Sequence, residues 1–426
     1  MISTLRNAWK IPDLRSKIVY TFMMLVIFRL GSVIPVPGIN IDYVRAIVSQ
    51  AGLLGFFDLF SGGAFGNMTI FALSITPYIT ASIIMQLLTI AIPSLEEMAK
   101  EGEEGRKKIA QYTRYATVVL ALIQAAGISI GLFGSALISR DPFSVTVVVL
   151  TLTAGTAFLM WLGEQITEKG IGNGISLLIF AGIVSRVPFS IKEIWFQLQQ
   201  GTLSPISLIV FLALSVVIIA AVVAIQEGTR KIPVQYAKRV VGRKMYGGQS
   251  SHIPLKVNQS GVIPVIFAMS LLSFPQTISL FFGQDSGFAN WVATWLNPNS
   301  INIWGVVIYS LLSAVLIIFF TYFYTAITFN PVEISTNMKK HGGFIPGIRP
   351  GKPTTDYLNK VLNRITLAGA VFLATIALLP TILMRITGMQ IAFGGTALLI
   401  VVGVALETMK QVEAQMLMRH YQGFLK

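Results

Sequence analysis

The sequence predicts an all-α multi-pass membrane protein: ten transmembrane helices in two five-helix halves, with both termini cytoplasmic. Three observations carry that expectation. Hydrophobic residues make up 54% of the 426 residues and charged residues only 12%, with a mean hydropathy of +0.71. Soluble domains carry roughly 25% charged residues. Ten apolar segments recur along the chain. The basic residues fall almost wholly on one side of the alternation that those segments define.

The apolar segments are 18–34, 68–92, 116–138, 143–163, 175–185, 203–225, 261–283, 301–329, 365–384 and 389–406. A bilayer crossing takes about 20 residues, and nine segments meet that with little or modest tilt. The fifth is short and follows the run Gly170-Ile-Gly-Asn-Gly174. It is expected to begin inside that run and to extend to about Pro188. Residues 1–17 are charged and amphipathic with no apolar core before Ile18, so the first segment reads as a retained helix rather than a cleaved signal.

If the amino terminus is cytoplasmic, 26 of the 32 Lys and Arg residues lie in connections on the inner side. Only Arg45, Arg140, Arg186, Lys192 and Arg385 lie outside, and Arg29 sits within the first segment. Such a bias sets orientation, and the net charge of +14 needs no nucleic acid to explain it. Arg29 would cost about 2.5–3.5 kcal/mol at the bilayer centre. It reads as snorkelling to the outer face. Counting divides the chain into an N-terminal half, 1–188, and a C-terminal half, 189–426. No sequence repeat relates them.

The residues exclude several chemistries. There is no cysteine, hence no disulfide, thiolate metal site or cysteine nucleophile. No Asp or Glu lies inside any of the ten segments. Ion-coupled transporters normally keep an intramembrane carboxylate, although unwound backbone carbonyls can also hold sodium. An ion-coupled secondary transporter of a small solute is therefore the second reading. There is no phosphate-binding glycine loop and no HExxH, and His252, His341 and His420 are far apart in sequence. No enzyme, metal or cofactor is expected. Two cytoplasmic connections, 226–258 and 330–364, mix basic residues with Pro, Gly and hydrophobes. They read as structured protrusions, either solvated near anionic headgroups or serving as a docking surface for a large acidic or phosphate-bearing partner.

The stretch 53–92 is the candidate site. Its first part, to Asn67, is glycine-rich and carries Asp58; its second is apolar enough to span. Non-helical backbone is tolerated at membrane depth only where protein or a water-filled cavity surrounds it. Ile75, Ile79 and Ile83 share one helix face, and similar rows occur at Ile175, Ile179 and Ile183, at Ile263 and Ile266, and at Ile400. A loop before a packed helix explains this pattern. So does a stopper beside a pore-lining helix, because a hydrophobic constriction can seal by dewetting and isoleucine is stiff at χ1.

Longer motifs add a resemblance. TPYITASIIMQLL (76–88), EGEEGRKKIAQYTRY (101–115), FLMWLGEQITEKGIGNGISLLIFAGI (158–183), QYAKRVVGRKMYGGQSSHIPLKVNQSGVIPVIFA (235–268), GGFIPGIRPGKPT (342–354) and FGGTALLIVVGVALE (393–407) closely resemble the bacterial SecY family, the central subunit of the protein-conducting channel. The resemblance implies a central hourglass pore whose apolar ring falls on Ile79, Ile83, Ile179, Ile183, Ile266 and Ile400. It implies a plug near 55–67, including Phe57, Asp58, Phe60, Gly62, Gly63 and Phe65. A lateral gate would open between the second and third helices on one side and the seventh and eighth on the other. Arg239, Arg243, Lys244 and Arg349 would engage a ribosome or the SecA motor. Further implied partners are the SecE and SecG membrane subunits, a secretory precursor or signal sequence, and the lipid bilayer. A weak association of two copies is compatible with the resemblance. The implied location is the bacterial plasma membrane.

Overall fold

Local chemistry sets where each helix starts. The computed structural model describes residues 6–423 apart from 7, 51–57, 59–60, 133, 135, 140, 202–203, 237–238, 242–243, 247–249, 280–285, 299, 301 and 388–394. Helix α1 (Pro12–Gly31) places Pro12 in its first turn, where a backbone N–H has no partner to lose, with Asp13 near its start and Arg29 near its end. A short helix, α2 (Ile41–Gln50), follows.

Residues 61–75 are turns, not helix: Gly62, Gly63, Met68 and Ser74 all take positive φ. Helix α3 (Thr76–Ala91) then begins with Pro77 in its first turn. The expected span 68–92 is thus too long at its front. Phe71, Ala72, Leu73 and Ile75 are buried inside protein, and apolar content cannot distinguish a buried turn from a membrane helix. Helix α4 (Pro93–Lys100) leaves α3 at a bend of 99°.

Next come α5 (Glu103–Ala126), continued by a π-helical turn over Gly127–Leu132, and α6 (Pro142–Lys169). Helix α7 (Gly174–Ser185) is capped by Asn173, whose side chain accepts from the Ser176 N–H. Helix α8 (Val187–Gln199) continues it almost without a break, and the two form one 26-residue run. The fifth segment therefore passes Pro188, because Pro188 sits in a first turn where proline is tolerated. Helix α9 (Pro205–Glu227) completes this series.

After α9 come strands β1 (Thr229–Tyr236), β2 (Arg239–Val241), β3 (Lys244–Tyr246) and β4 (Ser250–Lys256). The chain continues through α10 (Ile263–Ser279), α11 (Gly287–Trp295), α12 (Ile303–Thr328), α13 (Pro331–Lys340), β5 (Gly343–Phe344), α14 (Lys352–Thr387) and α15 (Gly395–Gly423). The chain is mostly helical rather than all-α. Strands β1 and β4 pair antiparallel from Thr229↔Lys256 to Gln235↔Ser250, and β5 joins the other edge of β1 through Gln235↔Phe344 and Tyr236↔Gly343. The two basic connections thus form one lobe. Ile232, Val234, Leu255, Met338, Ile345 and Leu358 make its apolar core. Helix α14 starts 13 residues before the ninth predicted segment, since its polar first turns belong to this lobe.

Among the described residues, six helical runs are long and apolar enough to cross a membrane, and seven if α3 and α4 count as one bent span. The apolar part of α10, Ile263–Gln276, is shorter. Part of the tenth predicted segment, 389–394, lies outside the described residues. Helix α3 packs against α10, and α15 packs against both α7 and α9.

Candidate functional site: an apolar waist and its stopper

The isoleucine rows converge. Ile79 and Ile83 come from α3, Ile179 and Ile183 from α7, Ile266 from α10 and Ile400 from α15. All six belong to one apolar cluster. Ile83, Ile179, Ile183 and Ile400 are at most 4% exposed, and the half-buried Ile79 and Ile266 pack against them. Ile75, Ile175 and Ile263 join the same cluster, as does Ala64 from the turn segment. Burial of each such side chain is worth about 1.5–3 kcal/mol. None of them offers a hydrogen bond to an ion or to a polar peptide.

The glycine-rich segment presses on this cluster. Gly62 holds φ of +66°, and a Cβ there would lie 2.9 Å from both Cα and O of Gly182 on α7. Only glycine fits that approach. Phe65 and Met68 are buried in a neighbouring cluster with Val36, Val44, Val148 and Leu152. A Cβ on Gly155 of α6 would collide with the Ile70 carbonyl, so α6 abuts the turns directly. Phe57 and Phe60 lie outside the described residues.

Asp58 ties the segment to itself. Its Oδ1 accepts from the Gly66 N–H at 2.6 Å. Its backbone carbonyl accepts from the Gly63 N–H at 2.9 Å and from Ser61 Oγ at 3.1 Å. Its Oδ2 accepts from Arg186 Nη1 at 2.5 Å, in a pair whose side chains are 8% and 21% exposed. Arg29 is exposed, and it donates from Nη1 to the Gly62 carbonyl at 3.1 Å and to Ser185 Oγ at 3.1 Å. Arg45 on α2 donates from Nε and Nη2 to Asn67 Oδ1 at 3.0 and 2.8 Å. These arginine contacts escaped the sequence reading. The available signal was the scarcity of basic residues in the connections expected to lie outside.

The docking candidates lie elsewhere. Arg349 is exposed between β5 and α14, and its carbonyl accepts from Thr354 Oγ1 at 2.9 Å. Arg239 and Lys244 occupy the β2–β3 hairpin, where Arg239 pairs with Tyr246 and Val241 with Lys244. Arg243 lies outside the described residues. Among the described residues, no group of three or more Asp, Glu or His could hold a metal ion.

Comparison with known proteins follows the same lines. The SecY family model matches residues 69–409. The chain is 51% identical to the protein translocase subunit SecY of Halalkalibacterium halodurans, with both chains covered in full. A solved SecY structure, in which the plug domain stabilises the closed state and maintains a membrane seal, superposes with a TM-score of 0.67 at 22% identity. It covers 94% of this chain and 92% of that one. Sec61 from a canine ribosome–channel complex superposes with a TM-score of 0.63 at 19% identity, with the same coverage. The fold and these relatives define a multi-pass, protein-conducting translocation channel. The chain belongs to the SecY family. Ion-coupled solute transport, the second reading, finds no support in these relatives.

Proposed function

We propose that this chain is the pore subunit of a bacterial plasma-membrane translocase, with ten spans and both termini cytoplasmic. Unfolded secretory polypeptides pass through a waist formed by Ile79, Ile83, Ile179, Ile183, Ile266 and Ile400. The segment around 55–67, including Phe57, Asp58, Phe60, Gly62, Gly63 and Phe65, is the plug. The single observation behind this reading is that six isoleucines from four helices share one cluster with Ala64 of the plug. A seal for chains of any sequence must be apolar and compliant, since fixed polar groups would select one substrate and bind ions. Helix α3 packs against α10, and the lateral gate lies between α3 and α5 on one side and α10 and α12 on the other. Parting there lets signal sequences and membrane helices leave sideways into lipid.

The channel has no energy source of its own, so a partner drives it. The lobe of 226–258 and 330–364, with Arg239, Arg243, Lys244 and Arg349, is the docking surface for the SecA motor or the ribosome. SecE and SecG are the membrane subunits expected beside it. Reconstitution with those subunits tests the reading. An unfolded precursor should enter vesicles only when motor or ribosome is added. Entry without either, or none with both, contradicts it.

A further inference from the structure

Few basic residues lie on the outer side of this chain, and the positive-inside rule makes those that do worth explaining. Four of them have described side chains: Arg29, Arg45, Arg186 and Lys192. Three of the four bond to the plug segment. Arg186 meets the Asp58 carboxylate, Arg29 the Gly62 carbonyl, and Arg45 the Asn67 side-chain oxygen. Their origins differ: the end of α1, the α2 helix, and the junction of α7 with α8. Their contacts span the plug from 58 to 67.

From this geometry we infer that Arg186, Arg29 and Arg45 form a three-point clasp that sets how firmly the plug is held closed. They thereby set how strong a signal sequence must be to open the channel. The inference rests on the channel reading and assigns regulation to the same site. Apolar contact alone resists sliding poorly, because it is non-directional. Charge-assisted hydrogen bonds are directional and about twice as strong as neutral ones. The three points are graded. The Asp58–Arg186 pair is mostly shielded from water, so salt screens it little. Arg29 meets a neutral carbonyl at a part-buried contact, and the contact of Arg45 with Asn67 is exposed. Asp58 is the key member, since its other oxygen binds the Gly66 N–H and folds the plug upon itself. All three arginines precede residue 188. The plug is therefore clasped by the N-terminal half and moves with it when the halves separate.

The test uses the full chain, co-produced with its proposed membrane subunits and reconstituted in vesicles. Resting leak of a small anion is measured without any precursor. Asp58→Asn and Arg186→Ala should each raise leak roughly tenfold or more, the scale of losing one charged hydrogen bond. Arg29→Ala should raise it less, and Arg45→Ala least. Arg186→Lys keeps a cation facing Asp58 Oδ2 and leaves the Asp58–Gly66 bond intact, so it should hold leak near the wild-type level. A purely structural role for Arg186 would not be rescued that way. Thermal unfolding in detergent checks that each variant is folded, and Asp58→Asn, which keeps an acceptor for Gly66, serves where Arg186→Ala is not. Ile83→Asn is run alongside. If Ile83→Asn leaks and the clasp variants do not, the clasp is wrong and the channel stands. If Arg186→Lys leaks as much as Arg186→Ala, the clasp is also wrong. If no variant leaks, including Ile83→Asn, the channel reading itself fails.

Discussion

Around the waist, Ile183 has no exposed surface and Ile400 only 1%, whereas in the basic lobe Arg349 stands in solvent a few residues from a small apolar core. On the proposed reading, one region keeps water and ions out and the other is found by a large partner through water. The waist draws its residues from four helices spread over more than 300 positions, so its shape depends on the whole fold. The lobe joins two connections through one sheet, and its own core of Ile232, Val234 and Leu255 holds it. Separate scaffolds allow each to change without the other, and that independence is open to test.

The largest expected effect is at the waist. Ile183→Ala removes a fully buried side chain and should cost about 2–5 kcal/mol of stability, read as a lower unfolding midpoint in detergent. Ile83→Asn or Ile400→Asn should let ions through at rest and let precursors with weak signals cross. Retained tightness in both would make these residues packing alone. Next comes Leu255→Ala in the lobe. It should lower partner-driven transport several-fold while resting leak stays at the wild-type level; a rise in leak would show that lobe and waist are coupled. Arg349→Glu should also impair partner-driven transport, with folding unchanged because the side chain is exposed. Loss of folded protein would make Arg349 structural. The smallest effect belongs to paired acidic substitutions at Arg243 and Lys244. These should weaken ribosome binding several-fold at low salt, with the difference shrinking as salt rises. A salt-independent difference would count against an electrostatic dock.

Part of the isoleucine cluster was legible because four-residue spacing in a helix is a strong local signal, and Ile79 and Ile83 carry it. What joins α3 to α7, α10 and α15 is tertiary and has no local trace. The stretch 68–75 misled the eye because hydropathy measures apolar content, not backbone geometry. Ser74 and Met68 at positive φ cannot be read from their types. The contact of Arg29 with the Gly62 carbonyl was not legible, since the two are 33 residues apart. Arg186 and Asp58 are 128 residues apart, and only the fold pairs them. The pairing of β1 with β5 was hidden for the same reason.

The central claim is that the six isoleucines surround a polypeptide in transit. The chain has no native cysteine, so single cysteines can be placed at Ile83, Ile266 and Ile400, with a control at Val216 on the exposed face of α9. A precursor carrying one cysteine is arrested halfway and oxidised. The account predicts disulfides to the precursor from the three waist positions and none from position 216. Equal crosslinking from position 216, or none from the waist, would contradict it.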